Sequence, residues 1–353
     1  MVARDANAPD SSARRLLECA ARICATLLPG PPDVRTPDFL QLHQLDDQAL
    51  AAEAAQGLLA PAARVSPKFF YDALGSRLFD AITETPEYYP TRTEATIFTR
   101  HGEAIAQATL AATGPAPTLV DLGAGNCAKA SRLFGRLQPS HYVAVDISVE
   151  FLRQSLQCLQ REFPAMRMTG IGLDFSARLS LPEGVVQGPA VVFYPGSSIG
   201  NFDPQEAQRL LREAREVAAG GALLIGVDLV KPVEVLEAAY DDALGITAAF
   251  NLNLLNHLNR LLGADFRLRE WRHLAVYDEA RSRIEMYLEA RRSLSVRWGG
   301  AQRRFAAGER IHTENSCKWT VARFEALLHA AGFAHVRHWC DDAGWFGVFL
   351  ASG

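Results

Sequence analysis

From Pro117 the chain alternates short apolar runs with helical stretches. Thr118–Leu122 reads as a strand, Lys129–Leu137 as a helix, Tyr142–Ile147 as a strand and Val149–Phe163 as a helix. Met166–Phe175 and Val191–Tyr194 are the next strands, a helix spans Pro204–Ala218, and Gly221–Val230 closes the series. Strands alternating with helices predict a parallel, doubly wound α/β sheet. Asp241–Leu262 reads as one long helix lined with Leu and Asn, and residues 268–296 alternate weakly, as antiparallel strands do. Thr320 is a candidate N-cap for a helix Val321–Ala331 that stops at Gly332. The last apolar runs, His335–Trp339 and Trp345–Leu350, then suit an antiparallel hairpin at the sheet edge.

Before the α/β series the pattern is less regular. Residues 1–38 are rich in Ala, Pro, Arg and Asp and read as a loosely attached tail with one short amphipathic helix, Leu16–Leu28. Helical patterns follow between Leu40 and Ala63. Thr83–Arg92 (TETPEYYPTR) places two tyrosines between prolines; proline fixes its own φ and disfavours helix before it, so this reads as an ordered loop.

Composition narrows the class. The 353 residues suit two domains or one large one, and 48% hydrophobic against 22% charged is ordinary globular chemistry. Lys plus Arg number 36 against 40 Asp plus Glu, a net charge of −4 that offers no global field for nucleic acid or anionic lipid. Six cysteines without a CxxC pair read as reduced thiols, and no apolar run reaches the roughly 18–20 residues that span a bilayer. The expectation is a cytoplasmic monomer acting on a small molecule. His312 with Glu314, and His335 with His338, invite a metal reading, but no HExxH or cysteine pair accompanies them, so no metal is expected.

The first candidate chemistry lies where the first strand of the series turns into a helix. Gly123 and Gly125 let backbone approach a ligand there, and the helix N-terminus offers free N–H groups. Ala128 completes a GxGxxA, and Asp146, about 20 residues on, ends the second strand where ribose hydroxyls are bound. The loop alone does not separate nicotinamide from other adenosine cofactors. Three details favour S-adenosylmethionine. Asp121 opens a DxGxG, Asp174 and Phe175 end the third strand with a carboxylate and an aromatic face, and Gly196–Asn201 forms a lip of small residues after the fourth.

Several segments then resemble the histidine Nα-methyltransferases of ergothioneine biosynthesis. They are Lys68–Ile97 (KFFYDALGSRLFDAITETPEYYPTRTEATI), Gly196–Asn201, Asp228–Lys231, Tyr240–Asn251, Arg283–Leu288 and His312–Lys318. The likeness runs from about residue 40 to the C-terminus. It implies a class I methyltransferase domain over 92–229 and 318–353, Rossmann-like with a C-terminal antiparallel hairpin. It also implies a smaller α+β substrate domain over 39–91 and 230–317.

The resemblance further implies S-adenosyl-L-methionine held by Tyr71, Gly123, Gly125, Lys129, Asp146, Asp174 and Phe175. It implies L-histidine held at its α-amino and α-carboxylate end by Asn201 and Tyr240. Its ring would be gripped by Tyr88, Glu314 and Ser316, with Met286 and Phe250 as apolar wall. A hydroxyl at one end and a carboxylate at the other suit a neutral imidazole, and Glu314 and Ser316, two apart, share one face of extended chain. Tyr71 is the candidate for aligning the amine and assisting its proton loss. The product would be the trimethyl betaine, hercynine. Another aromatic amino acid or a modified histidine as substrate stays open, as does nicotinamide-dependent reduction.

Overall fold

The computed structural model describes residues 35–42 and 47–353; the Leu16–Leu28 helix and the tail up to residue 34 lie outside the described residues. Strand β1 (Asp38–Gln41) and helices α1 (Asp47–Leu59), α2 (Ala73–Thr83) and α3 (Tyr89–Thr113) precede the alternating series. That series runs β2 (Thr118–Leu122), α4 (Ala128–Leu137), β3 (His141–Asp146), α5 (Val149–Glu162), β4 (Arg167–Gly172), β5 (Ala190–Tyr194), α6 (Pro204–Ala218) and β6 (Ala222–Asp228). Helices α7 (Val233–Tyr240) and α8 (Ile246–Leu262) follow, then strands β7 (Trp271–Asp278), β8 (Arg283–Ala290), β9 (Leu294–Trp298), β10 (Ala301–Phe305) and β11 (Arg310–Cys317). Helix α9 (Val321–Ala330) and strands β12 (His335–Cys340) and β13 (Phe346–Ser352) end the chain.

One eight-stranded sheet carries the order β1-β4-β3-β2-β5-β6-β13-β12, parallel except for β13 and β12. This is the doubly wound sheet with a C-terminal antiparallel hairpin that the sequence predicts. Strands β2, β5 and β6 are buried along their whole length, the reason each reads as a continuous apolar run. Two apolar clusters cover its faces, one centred on α6 and α9, the other on α3, α4 and α5. A third is built from residues 54–89 and 236–311, where β11-β8-β7 form a separate antiparallel sheet against α8. Among the described residues no helix is long and apolar enough to cross a membrane.

Three expectations change. Asp38–Gln41, at the start of the segment assigned to the substrate domain, pairs in parallel with Thr169–Gly172 at the edge of the main sheet. The supposed loop Thr83–Arg92 is already helix from Tyr89, because Pro90 sits in the first turn, where a missing N–H costs nothing. The helix read from Asp241 starts only at Ile246, and a separate helix, α7, ends at Tyr240 just before it. Gly245 takes φ +74°, and Asp242 instead accepts from the backbone N–H groups of Ile246 (3.0 Å) and Thr247 (2.7 Å). That break leaves Tyr240 at the last position of α7. Thr320 does cap α9, accepting from Arg323 N at 3.2 Å.

Candidate active site

The C-terminal ends of β2, β3, β4 and β5 open into a cleft of about 830 Å³. Tyr71, Gly123, Gly125, Lys129, Asp146, Asp174 and Phe175 all line it. Gly123 and Gly125 adopt φ +70° and +51°, a region costly for any residue with a Cβ. Asp146 fixes that turn: its Oδ2 accepts from Gly125 N at 2.9 Å and its Oδ1 from Ser148 N at 2.8 Å. Burial raises the Asp146 carboxyl above its ordinary range against these hydrogen bonds. At the next strand end, Asp174 accepts from Ser176 Oγ (2.5 Å) and from Lys68 Nζ (3.2 Å). Burial works against its charge, but these partners hold Asp174 below the usual range. Phe175 stands edge-on to Tyr194, ring centres 5.8 Å apart.

Whether the cleft fits S-adenosylmethionine is tested by Asp121. Asp121 lines the cleft at 2% exposure, Tyr142 donates to its Oδ2 at 2.8 Å, and its Oδ1 is buried without a partner. Burial pushes its carboxyl up to about 7. A buried carboxylate oxygen left unpaired is costly, and an ammonium such as that of a methionine end would satisfy it. Lys129, which also lines the cleft, is held at 2.7 Å by Glu94, whose other oxygen accepts from Gly196 N at 2.8 Å. The residues present therefore fit the cofactor.

Behind the cleft lies a chamber of about 50 Å³, and Tyr71, Tyr88, Asn201, Tyr240, Phe250, Met286, Glu314 and Ser316 all line it. Tyr71, Phe79, Tyr88, Gly196, Ser198 and Asn201 line both cavities, so the two meet there. Local structure explains each placement. Tyr71 is pinned between the 3₁₀ turn Pro67–Phe70 and Asp72, which caps α2 through Gly75 N at 2.7 Å. Asn201 ends a second 3₁₀ turn, entered through Gly196 at φ +79° and Ser197 at φ +60°. A β-bulge between His312 and Glu314 re-aims β11, after which Glu314 and Ser316 both face inward. The one-face expectation for that pair therefore holds, because the irregularity falls before Glu314.

Turned to donate, the Asn201 amide reaches Glu314 Oε1 at 3.2 Å and the carbonyl of Asn315 at 3.1 Å. Burial pushes the Glu314 carboxyl up to about 8, against a weak opposing pull from Lys318. Tyr240 and Ser316 share a hydrogen bond of 2.6 Å. Phe250 packs edge-on to Tyr71 (5.9 Å), and Tyr88 edge-on to Tyr240 (6.3 Å). Burial, reinforced by Glu314 and Asp146, raises the Tyr71 hydroxyl far above the tyrosine range. It therefore stays a neutral, protonated hydroxyl at the junction of the two cavities.

Reading the sequence missed Lys68, Phe79, Glu94 and Lys318 as site residues, and treated Asp121 only as a loop signal. Lys68, Phe79 and Glu94 fall inside the quoted Lys68–Ile97 segment and Lys318 ends the quoted His312–Lys318 segment, so a signal existed for each. Glu94 works only because Gly226 has no side chain, since a Cβ there would lie 2.1 Å from its carboxylate oxygen.

The family described as histidine-specific, S-adenosylmethionine-dependent methyltransferases matches residues 50–353. The chain is 40% identical over 312 residues to the histidine N-alpha-methyltransferase of Mycolicibacterium smegmatis, covering 86% of this chain and 95% of that one. The Mycobacterium tuberculosis enzyme of the same name is 39% identical over the same span and coverage. Ergothioneine biosynthesis protein 1 of Schizosaccharomyces pombe is 31% identical over 274 residues, 74% of this chain and 35% of that longer one. None of these supports the nicotinamide reading of the glycine turn. The chain belongs to the S-adenosylmethionine-dependent, histidine-specific methyltransferases.

Proposed function

We propose that the protein methylates the α-amine of free L-histidine three times, giving hercynine for ergothioneine biosynthesis. The observation that carries this reading is the junction of the two cavities. A cleft suited to the cofactor meets, across Tyr71, Tyr88 and Asn201, a chamber that ends in Glu314 and Ser316. The main sheet with its hairpin forms the methyltransferase unit and the third apolar cluster the substrate unit, with the chamber between them. Four cysteines of the described residues are free, in keeping with a cytoplasmic enzyme, and the reading takes it as a monomer.

When bound, S-adenosylmethionine would supply an electrophilic methyl group, its sulfur keeping the carbon–sulfur pair as a neutral thioether while the amine lone pair forms the nitrogen–carbon bond. The chain contributes position, and no protein nucleophile is needed. Asn201 and Tyr240 hold the amino-acid end, while Glu314, Ser316 and Tyr88 hold the ring against Met286 and Phe250. The Tyr71 hydroxyl oxygen accepts an amine N–H and so keeps the lone pair aimed at the junction. Each transfer leaves the nitrogen as an ammonium whose proton is lost to water before the next round. The dimethyl amine of the third round has no N–H left for Tyr71, and the faces of Tyr71, Phe79 and Phe250 favour the growing cation.

Tyr71→Phe removes one hydrogen bond and no titrating base. We expect kcat to fall about tenfold, as loss of roughly 1–1.5 kcal/mol of alignment requires, with the pH–rate profile unchanged in shape. Initial rates between pH 6.5 and 9.5 check both. The proposal itself is tested by mass spectrometry after incubating the protein with S-adenosylmethionine and the twenty amino acids. Histidine alone gaining three methyl groups is the expected result. Methylation of a different amino acid overturns the assignment of the ring clamp.

A further inference from the structure

Beneath the chamber lies a charge cluster that the transfer step does not use. Lys318, Asp228 and Lys231 are each at most 8% exposed and are drawn from two segments 90 residues apart. Asp228, at the end of β6, accepts from Lys318 at 2.7 Å, from Lys231 at 2.5 Å and from the Tyr89 hydroxyl at 2.7 Å. Lys318 also donates to the hydroxyls of Tyr240 (3.0 Å) and Ser316 (2.8 Å), and these two hydroxyls bond each other at 2.6 Å.

An ammonium has three hydrogens and no lone pair, so Lys318 is fully spent on these partners and reaches no substrate. Both hydroxyls must therefore accept from Lys318 and keep their own hydrogens for other use. One of those hydrogens joins the hydroxyls to each other. The other has no partner except what enters the chamber, which both residues line. A cation one bond behind such a donor strengthens it toward an anion. Asp228 itself lines the chamber, but the cluster sets two ammoniums against its one carboxylate, so a net positive charge is felt there.

We infer that Lys318 is a positioning residue: with Ser316 donating to Tyr240 and keeping an oxygen lone pair for the ring, it leaves the Tyr240 hydroxyl as the one outward donor and makes the site select a carboxylate-bearing substrate. The inference rests on the reading of the chamber as an amino-acid site. It assigns to a residue that never touches the ligand the discrimination between histidine and its decarboxylated amine, histamine.

The test compares wild type with Lys318→Met, which keeps the length and leaves Asp228 paired with Lys231 and Tyr89. The KM for L-histidine is measured beside the inhibition constant of histamine, which has the ring and amine but no carboxylate. We expect the histidine KM to rise at least tenfold and kcat to fall less than threefold. Because histamine carries a cation, removing a buried positive charge should leave its inhibition constant unchanged or lower it. A purely structural role would weaken both ligands together, and parallel weakening, or an unchanged KM, overturns the inference. If the Met variant does not fold, Lys318→Gln, which keeps donors but not charge, reads the same two constants. Wild-type protein that fails to methylate histidine would instead overturn the underlying reading.

Discussion

Asp146→Ala should abolish useful affinity for S-adenosylmethionine, with at least a hundredfold rise in Kd by calorimetry. The carboxylate holds the part-buried N–H groups of Gly125 and Ser148 at 2.9 and 2.8 Å, and Gly125 sits at φ +51°. Truncation strands two backbone donors, each costing about 1–3 kcal/mol, and removes the acceptor for the ribose hydroxyls. Since 1.4 kcal/mol is a factor of ten, the two donors alone account for about 30-fold or more, and the lost ribose acceptor carries the total past a hundredfold. Asp146→Asn keeps one acceptor oxygen and should fall between the two, near tenfold. An effect under fivefold for the alanine variant would mean that Asp146 neither shapes the loop nor meets the ligand.

The same residue shows why this half of the site was legible. A glycine turn after a strand and an acid about 20 residues on are linked by local geometry, because adjacent parallel strands end side by side. Registers such as Leu122 opposite Val145 then make the sequence spacing a spatial one. The inner chamber has no such rule. Asn201, Tyr240 and Glu314 come from a 3₁₀ turn, a helix end and a bulged strand, and only a long segmental resemblance placed them together. Glu94 and Gly196 lie 102 positions apart, and Lys318 and Asp228 lie 90 apart. Nothing in local patterning announces such pairs. Strand β1 was missed for a different reason. It is four residues long and mostly exposed at a sheet edge, so it carries no alternation to read.

Glu314→Gln should raise the KM for L-histidine by about 10- to 100-fold at pH 8 while leaving cofactor Kd within twofold. The basis is one buried, charge-assisted hydrogen bond to the ring, worth roughly 1.5–3 kcal/mol. Its pH dependence follows from counting protons. Burial holds the Glu314 carboxyl near 8, so below neutrality the empty chamber presents it protonated. A free histidine ring is also protonated below its ordinary value near 6.5. Carboxyl and ring bind each other through one shared proton, so in acid the complex must release the second. Wild-type affinity therefore drops about tenfold per pH unit below roughly 6.5. Glutamine has no proton to lose and accepts from the ring in either state, so the variant should show a flatter limb. The deficit of the variant is thus largest between pH 7 and 8 and shrinks toward pH 5.5. Protonation of the α-amine burdens both proteins alike and cancels in the ratio. A ratio of KM values constant across that range, or an equal loss of cofactor affinity, would remove Glu314 from the ring clamp.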